Sequence, residues 1–188
     1  MAAVQCIHLV PTFHYDVAYL RTCQQYLPDS FRILDAALAL LEQDGNYCFT
    51  IEQTFLLEQY CSQFPEKLAL LKGYASQSRL SIAPGMYVMP DMNMPDAESL
   101  IMQIQYGRAF CRDHLGIEPR ACWIADCWGH HAQLPQILRK CGYENYLFWR
   151  AMREDVLKND FLWRGIDGTT IQTHWLARGY ANVQFPAD

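Results

Sequence analysis

Two short stretches hold residues able to do chemistry together. In PTFHYDVAY, His14 and Asp16 stand one residue apart, just past an apolar run. In ACWIADCWGHH, Asp126 follows another apolar run and is itself followed by Trp128, Gly129, His130 and His131. In extended backbone, residues i and i+2 point to the same side, so the His14 imidazole and the Asp16 carboxylate would converge. Such a pair suits a divalent cation such as zinc. A carboxylate at the edge of a buried strand, as at Asp126, must be solvated, paired or metal-bound. Each stretch alone also has a plainer reading. The first, taken alone, is the weaker signal and reads as a surface loop with no role, and the second as a helix-capping turn with solvated histidines. Two strand ends that offer acidic groups to one crevice favour the metal site.

The elements around these residues alternate. VQCIHLV (4–10) is apolar, is bounded by Pro11 and reads as a first buried strand. DSFRILDAALALLEQDG (29–45) reads as a helix capped by Asp29 or Ser30, with Phe31, Leu34, Leu38 and Leu41 on one face and Gly45 at its end. YCFTI (47–51) is the second strand. Residues 53–77 read as helical with a break near Pro65, and RLSIA (79–83) is the third strand. A loop with Pro84, Gly85, Pro90 and Pro95 leads to a helix from about Asp96 to Leu115, capped by Asp96 and stopped by Gly116. ACWIA (121–125) is the fourth strand, 132–141 a helix with Pro135 in its first turn, and NYLFW (145–149) the fifth strand. FLWRGIDGTTIQTHWL (161–176) reads as a hairpin turned at Asp167-Gly168. This order predicts an α/β fold with a mostly parallel sheet. In such folds ligands gather at the C-terminal ends of the strands, where His14, Asp16 and Asp126 fall.

Composition narrows the classes further. A chain of 188 residues, 51% hydrophobic and 19% charged, is that of a folded globular domain. The net charge of −5 and the lack of a basic stripe argue against nucleic acid as a partner. No run approaches the roughly 18 apolar residues of a membrane-spanning helix. The first residues lack the charged and apolar regions of a secretory signal. The eight cysteines show no C-x-x-C spacing, so they are expected to be reduced, mostly buried thiols in a cytoplasmic protein.

Taken together, PTFHYDVAY and EPRACWIADCWGHHAQLPQILRKCGY resemble glycoside hydrolase family 38, the retaining zinc α-mannosidases. GMYVMPDMNMPDAESLIMQIQYGRAF and DFLWRGIDGTTIQTHW resemble the segments that accompany those motifs in the family, in the same order. The resemblance implies the N-terminal portion of a seven-stranded β/α barrel, with residues 1–188 covering the front of the catalytic domain and leaving it incomplete on its C-terminal side. It implies one zinc ion held by His14, Asp16 and Asp126, and makes Asp126 the nucleophile. It places Trp128 in the lining of the sugar subsite, Tyr19 at the subsite floor, where the family usually has tryptophan, and Arg150 beside the nucleophile. The implied substrate is an α-mannoside oligosaccharide, and the implied partner is the remainder of the enzyme or a second copy of the chain. Asp91, Asn93 and Glu98 lie in a segment resembling a family loop and suit solvated loop and cap roles equally.

Two departures from the family pattern stand out. The first motif usually opens with another histidine, and Thr12 holds that position here. The family's fourth zinc ligand, a histidine, and its acid/base aspartate both lie farther downstream than this chain extends. His8 reads as a core residue, His114 as a helix-end residue and His174 as a structural residue of the hairpin. Three ligands hold zinc weakly with water in the open position. Without the acid, catalysis loses about 10²–10⁴-fold. A non-catalytic fragment that keeps the fold or a partial zinc or sugar site is therefore the alternative to the α-mannosidase. A deacetylase-type metal hydrolase is disfavoured by the W-x-x-D-x-aromatic-G-H pattern.

Overall fold

Parallel pairing sets the architecture, and its register decides which residues stand level with one another. The computed structural model describes Cys6, Leu9 and residues 11–152 and 158–180. The strand expected at 4–10 therefore lies almost wholly outside the described residues, as does His8. The first described strand is β1, Thr12–Phe13. It pairs in parallel with β2, Phe49–Gln53, which pairs in parallel with β3, Leu80–Met86. A second sheet runs in the order β4 (Ala121–Ile124), β5 (Asn145–Phe148), β7 (Thr170–Trp175), β6 (Asp160–Arg164). Its pairings are parallel except for the β6–β7 hairpin at its edge. The expected hairpin is present, with Gly168 at φ +86° in its turn. A mixed α/β fold dominated by parallel strands is thus what forms.

The helices fill the crossovers. They are α1 (Cys23–Gln43), α2 (Thr54–Gln63), α3 (Lys67–Ser76), α4 (Ala97–Phe110) and α5 (Leu134–Lys140). Asp96 caps α4 by accepting from the Ser99 amide at 2.7 Å. A π-helical turn, Cys111–Leu115, prolongs α4 to Gly116, whose φ of +73° ends it. One apolar cluster joins α1, α2 and α3 to the first sheet through Leu34, Leu41, Ile51, Leu57, Tyr60 and Leu71. A second joins α4 and α5 to the second sheet through Ile104, Ile124, Leu134, Leu138, Tyr146 and Ile171.

Three expectations change. The first helix begins at Cys23, well before the expected caps Asp29 and Ser30. Thr22 and Gln25 make the T-x-x-Q end of a capping box, the Gln25 side chain accepting from the Thr22 amide at 2.9 Å. Pro28 then sits inside the helix, where Leu27 and Phe31 pack against the core and offset its missing N–H. Ser30 is buried and its hydroxyl donates to the Leu27 carbonyl, while Asp29 pairs with Arg21 and Arg32. Second, β3 runs on through Pro84 and Gly85 to Met86 instead of ending at Ala83. Third, the ladder is interrupted: β3 and β4 are in contact yet share no ladder hydrogen bonds.

The registers have a direct consequence for the site. Phe13 stands opposite Ile51, so the next step along each strand sets His14 level with Glu52. Ile124 stands opposite Phe148, and two further steps set Asp126 level with Arg150. Close backbone packing of α4 on β3 fixes the loop between them. A Cβ added at Gly107 would lie 2.1 Å from the Gly85 carbonyl oxygen and 2.5 Å from the Met86 carbonyl carbon. Gly107→Ala should therefore destabilise the fold by about 2 kcal/mol or more, read as a lowered urea midpoint with unchanged m.

Candidate active site

A cleft of about 360 Å³ opens where the ends of β1, β2, β3 and β4 come together. His14 and Asp16 enter it from the segment after β1, Gln53 from the end of β2, Met89 to Asp91 from the loop after β3, and Asp126 to Trp128 from the turn after β4. This is the C-terminal end of the parallel strands, as expected for an α/β site.

His14 is the centre of the polar network. Its Nδ1 lies 2.8 Å from Glu52 Oε2, and its Nε2 lies 3.6 Å from Asp126 Oδ2. Glu52 is 1% exposed. Its second oxygen accepts from the Trp123 indole N–H at 2.5 Å. Burial pushes the Glu52 carboxyl up from its ordinary range, and the hydrogen bonds from His14 and Trp123 oppose that shift.

Asp126 is held from two sides. Arg150 donates from Nε to Oδ1, and the Tyr180 hydroxyl donates to Oδ2 at 3.3 Å. The Arg150 guanidinium is sandwiched between two indoles, 4.1 Å from the Trp128 ring and 4.2 Å from the Trp149 ring. Guanidinium over indole is the most favourable cation–π pairing, so Arg150 is fixed by packing as well as by charge. The Tyr180 ring also lies against His14, with centroids 4.5 Å apart.

The two histidines after Gly129 differ in role. His131 is exposed, and its Nδ1 accepts from the Gln133 amide at 3.1 Å, the capping turn anticipated from sequence. His130 is partly buried and hydrogen-bonded at both ring nitrogens rather than solvated. Its Nδ1 meets the Tyr146 hydroxyl at 2.7 Å and its Nε2 meets the Arg150 carbonyl at 2.9 Å. His130 thereby ties the β4 turn to the end of β5 and steadies the backbone that carries Arg150. Gly129 beside it leaves room for the end of the exposed Asn93 side chain, which would have to move aside for a Cβ there.

The candidate residues separate on inspection. His14, Asp16, Asp126 and Trp128 share the cleft, and Arg150 reaches it through Asp126. Tyr19 is 76% exposed and is not among the residues lining the cleft, although Val17 and Ala18 are. Among the described residues, no three His, Cys, Asp or Glu side chains stand close enough together to hold a metal ion as they are. The His14–Asp126 pair does fit one: two atoms each about 2 Å from a common tetrahedral zinc stand about 3.3 Å apart. His174 pairs with Asp160 on the hairpin at 2.7 Å, a structural position.

The model of the glycosyl hydrolases family 38 N-terminal domain matches residues 5–186. The chain belongs to glycoside hydrolase family 38. It is 29% identical over 173 residues to alpha-mannosidase 2C1 of Mus musculus, a match that covers 90% of this chain and 17% of that protein. It is 28% identical over 168 residues to an alpha-mannosidase of Saccharomyces cerevisiae, covering 86% of this chain and 15% of that protein. The chain thus spans about a sixth of the length of these relatives. In fold it is similar to an alpha-mannosidase from Enterococcus faecalis V583, with a TM-score of 0.84, 22% identity and coverage of 91% of this chain and 20% of that one.

In this family 38 domain, sequence reasoning missed Glu52, Gln53, Trp123 and Tyr180. Glu52 carried a signal: like Asp126, it is an acid that ends an apolar run. Gln53 bridges two loops, donating to the Tyr15 carbonyl at 2.7 Å and accepting from the Met89 amide at 3.1 Å.

His130 gives a pH expectation. Burial lowers its pKa below the ordinary imidazole value of 6.5. The unfolded chain then binds the extra proton first, so stability is present above about 6.5 and is lost as pH falls through the folded value. His130→Gln should flatten that part of the stability–pH curve, measured by urea unfolding between pH 5 and about 8.

Proposed function

We propose that this chain forms the front of a retaining α-mannosidase catalytic domain, a portion of a seven-stranded β/α barrel, with one zinc ion bound by His14, Asp16 and Asp126. The observation that carries the reading is the approach of His14 Nε2 to Asp126 Oδ2, 3.6 Å apart, in a cleft that Asp16 also lines. When bound, zinc would supply a Lewis-acid template for sugar hydroxyls.

The remaining steps belong to this chain's own residues. Asp126 attacks the anomeric carbon and forms a covalent mannosyl ester, while the glycosidic oxygen leaves and takes a proton from an acid outside this chain. Water then cleaves the ester and returns the original configuration. Arg150 and Tyr180 orient the Asp126 carboxylate. Trp128, 71% exposed at the cleft, offers a ring for the sugar to stack on, and Tyr19 contributes once the adjoining wall of the site is present.

An α-mannoside oligosaccharide is the proposed substrate, and the rest of the enzyme or a second copy of the chain the proposed partner. No described helix is long and apolar enough to cross a membrane. A reducing, cytoplasmic setting is part of the proposal. A second reading, a non-catalytic fragment that keeps the fold or a partial zinc or sugar site, is favoured by the lack of a third metal donor within reach among the described residues.

Zinc content and hydrolysis of an aryl α-mannoside, measured for this chain and for Asp126→Ala, distinguish the two. An activated dinitrophenyl leaving group needs no acid, which removes the expected loss of about 10²–10⁴-fold. Zinc with turnover that disappears in Asp126→Ala supports the enzyme. Zinc without turnover supports the fragment, and no zinc under either condition overturns the metal assignment.

A further inference from the structure

Behind the cleft wall lies a buried acid for which the proposed chemistry has no use. Glu52 makes no contact with the open cleft; both its oxygens are taken up by donors from other strands. Trp123, on β4, holds Oε1, and His14, just after β1, meets Oε2. An indole N–H only donates and a carboxylate only accepts. The Glu52 carboxylate therefore requires the hydrogen of His14 to be on Nδ1. The lone pair is then on Nε2, the nitrogen that faces Asp126 at 3.6 Å.

We infer that Glu52, oriented by Trp123, is a positioning residue that locks His14 in its Nδ1–H tautomer and so sets how tightly the site binds zinc. The inference rests on the zinc reading above. Its physical basis is the general behaviour of histidine ligands, whose second nitrogen donates to a carboxylate or carbonyl that fixes both ring and tautomer. A free imidazole would divide its population between tautomers and ring orientations. Here the strand register and one indole remove that freedom before a metal arrives.

Glu52→Gln is the direct test, because it keeps size and removes one acceptor. Its amide has to turn an NH₂ either to His14, which drives the hydrogen to Nε2, or to Trp123, where two donors clash. In the full 188-residue chain, zinc affinity measured against a chromophoric chelator should fall about 10–100-fold. Nitrogen NMR of the metal-free protein, above the imidazole titration range, should show His14 protonated on Nδ1 in the wild type and shifted toward Nε2 in the variant. Trp123→Phe should weaken zinc less than Glu52→Gln, since the carboxylate is loosened but still present. Adding Trp123→Phe to Glu52→Gln should restore part of the affinity, because the amide oxygen can then face His14.

A merely structural Glu52 would lower stability and leave tautomer and zinc affinity alone. Unchanged zinc affinity and an unchanged tautomer in Glu52→Gln overturn the inference. Where that variant does not fold, wild-type zinc affinity in Trp123→Phe overturns it. A wild-type chain that takes up no zinc overturns the proposed function instead, and the tautomer measurement then decides the role of Glu52 by itself.

Discussion

A carboxylate taken wholly out of water has to be met by donors, and at Glu52 this requirement draws three strands to one point. Leaving either oxygen without a partner would cost about 1–3 kcal/mol, more for a charged group. The residue before Glu52, Ile51, is paired with Phe13 on β1, so His14 arrives beside the acid through backbone register alone. The Trp123 indole comes from β4, across the boundary where β3 and β4 share no ladder. This side-chain bond therefore ties the two sheets where backbone hydrogen bonds do not. The same constraint shapes the cleft and secures the wall against which His14 stands.

Asp126 follows a related logic with the balance reversed. It remains partly accessible, so its charge can be kept and used. Arg150 is level with it through the β4–β5 register, and two indoles fix the guanidinium in place. One oxygen is committed to Arg150, while the other faces His14 and Tyr180. His130 holds the backbone carbonyl of Arg150 and is itself held by Tyr146, so the arginine is anchored at both ends of the residue. A carboxylate restrained to this degree loses little freedom on meeting an electrophile, which is where positioning contributes to rate.

Much of this could be read from particular residues. The apolar runs before His14 and Asp126, and the helices between them, marked both as strand-end positions, and the hairpin at Asp167-Gly168 followed from turn chemistry. The start of α1 was misplaced because Asp29 and Ser30 are good caps in isolation, whereas Thr22 and Gln25 cap the helix that actually packs. Glu52 went unremarked because its value depends on Trp123, a residue 71 positions away that looks like ordinary strand packing. The solvated reading of His130 failed for the same reason, since only the β4–β5 pairing shows what covers it.

The interrupted ladder between β3 and β4 explains why the cleft lies where it does. A continuous sheet would carry the chain past this point with regular spacing. Instead, β3 has Gly85 at φ +72°, and a Cβ there would come within 2.5 Å of the Pro119 side chain. Farther along, Gly129 lets Asn93 from the β3–α4 loop lie directly on the β4 turn. The two sheets are thus held together by close glycine contacts and by the Glu52–Trp123 bond, and the space left at the strand ends is the cleft. Parallel strands alone would bring His14 and Asp126 to the same end of the sheet. Separating the sheets, while bonding them at one buried acid, is what turns that shared end into a site with depth.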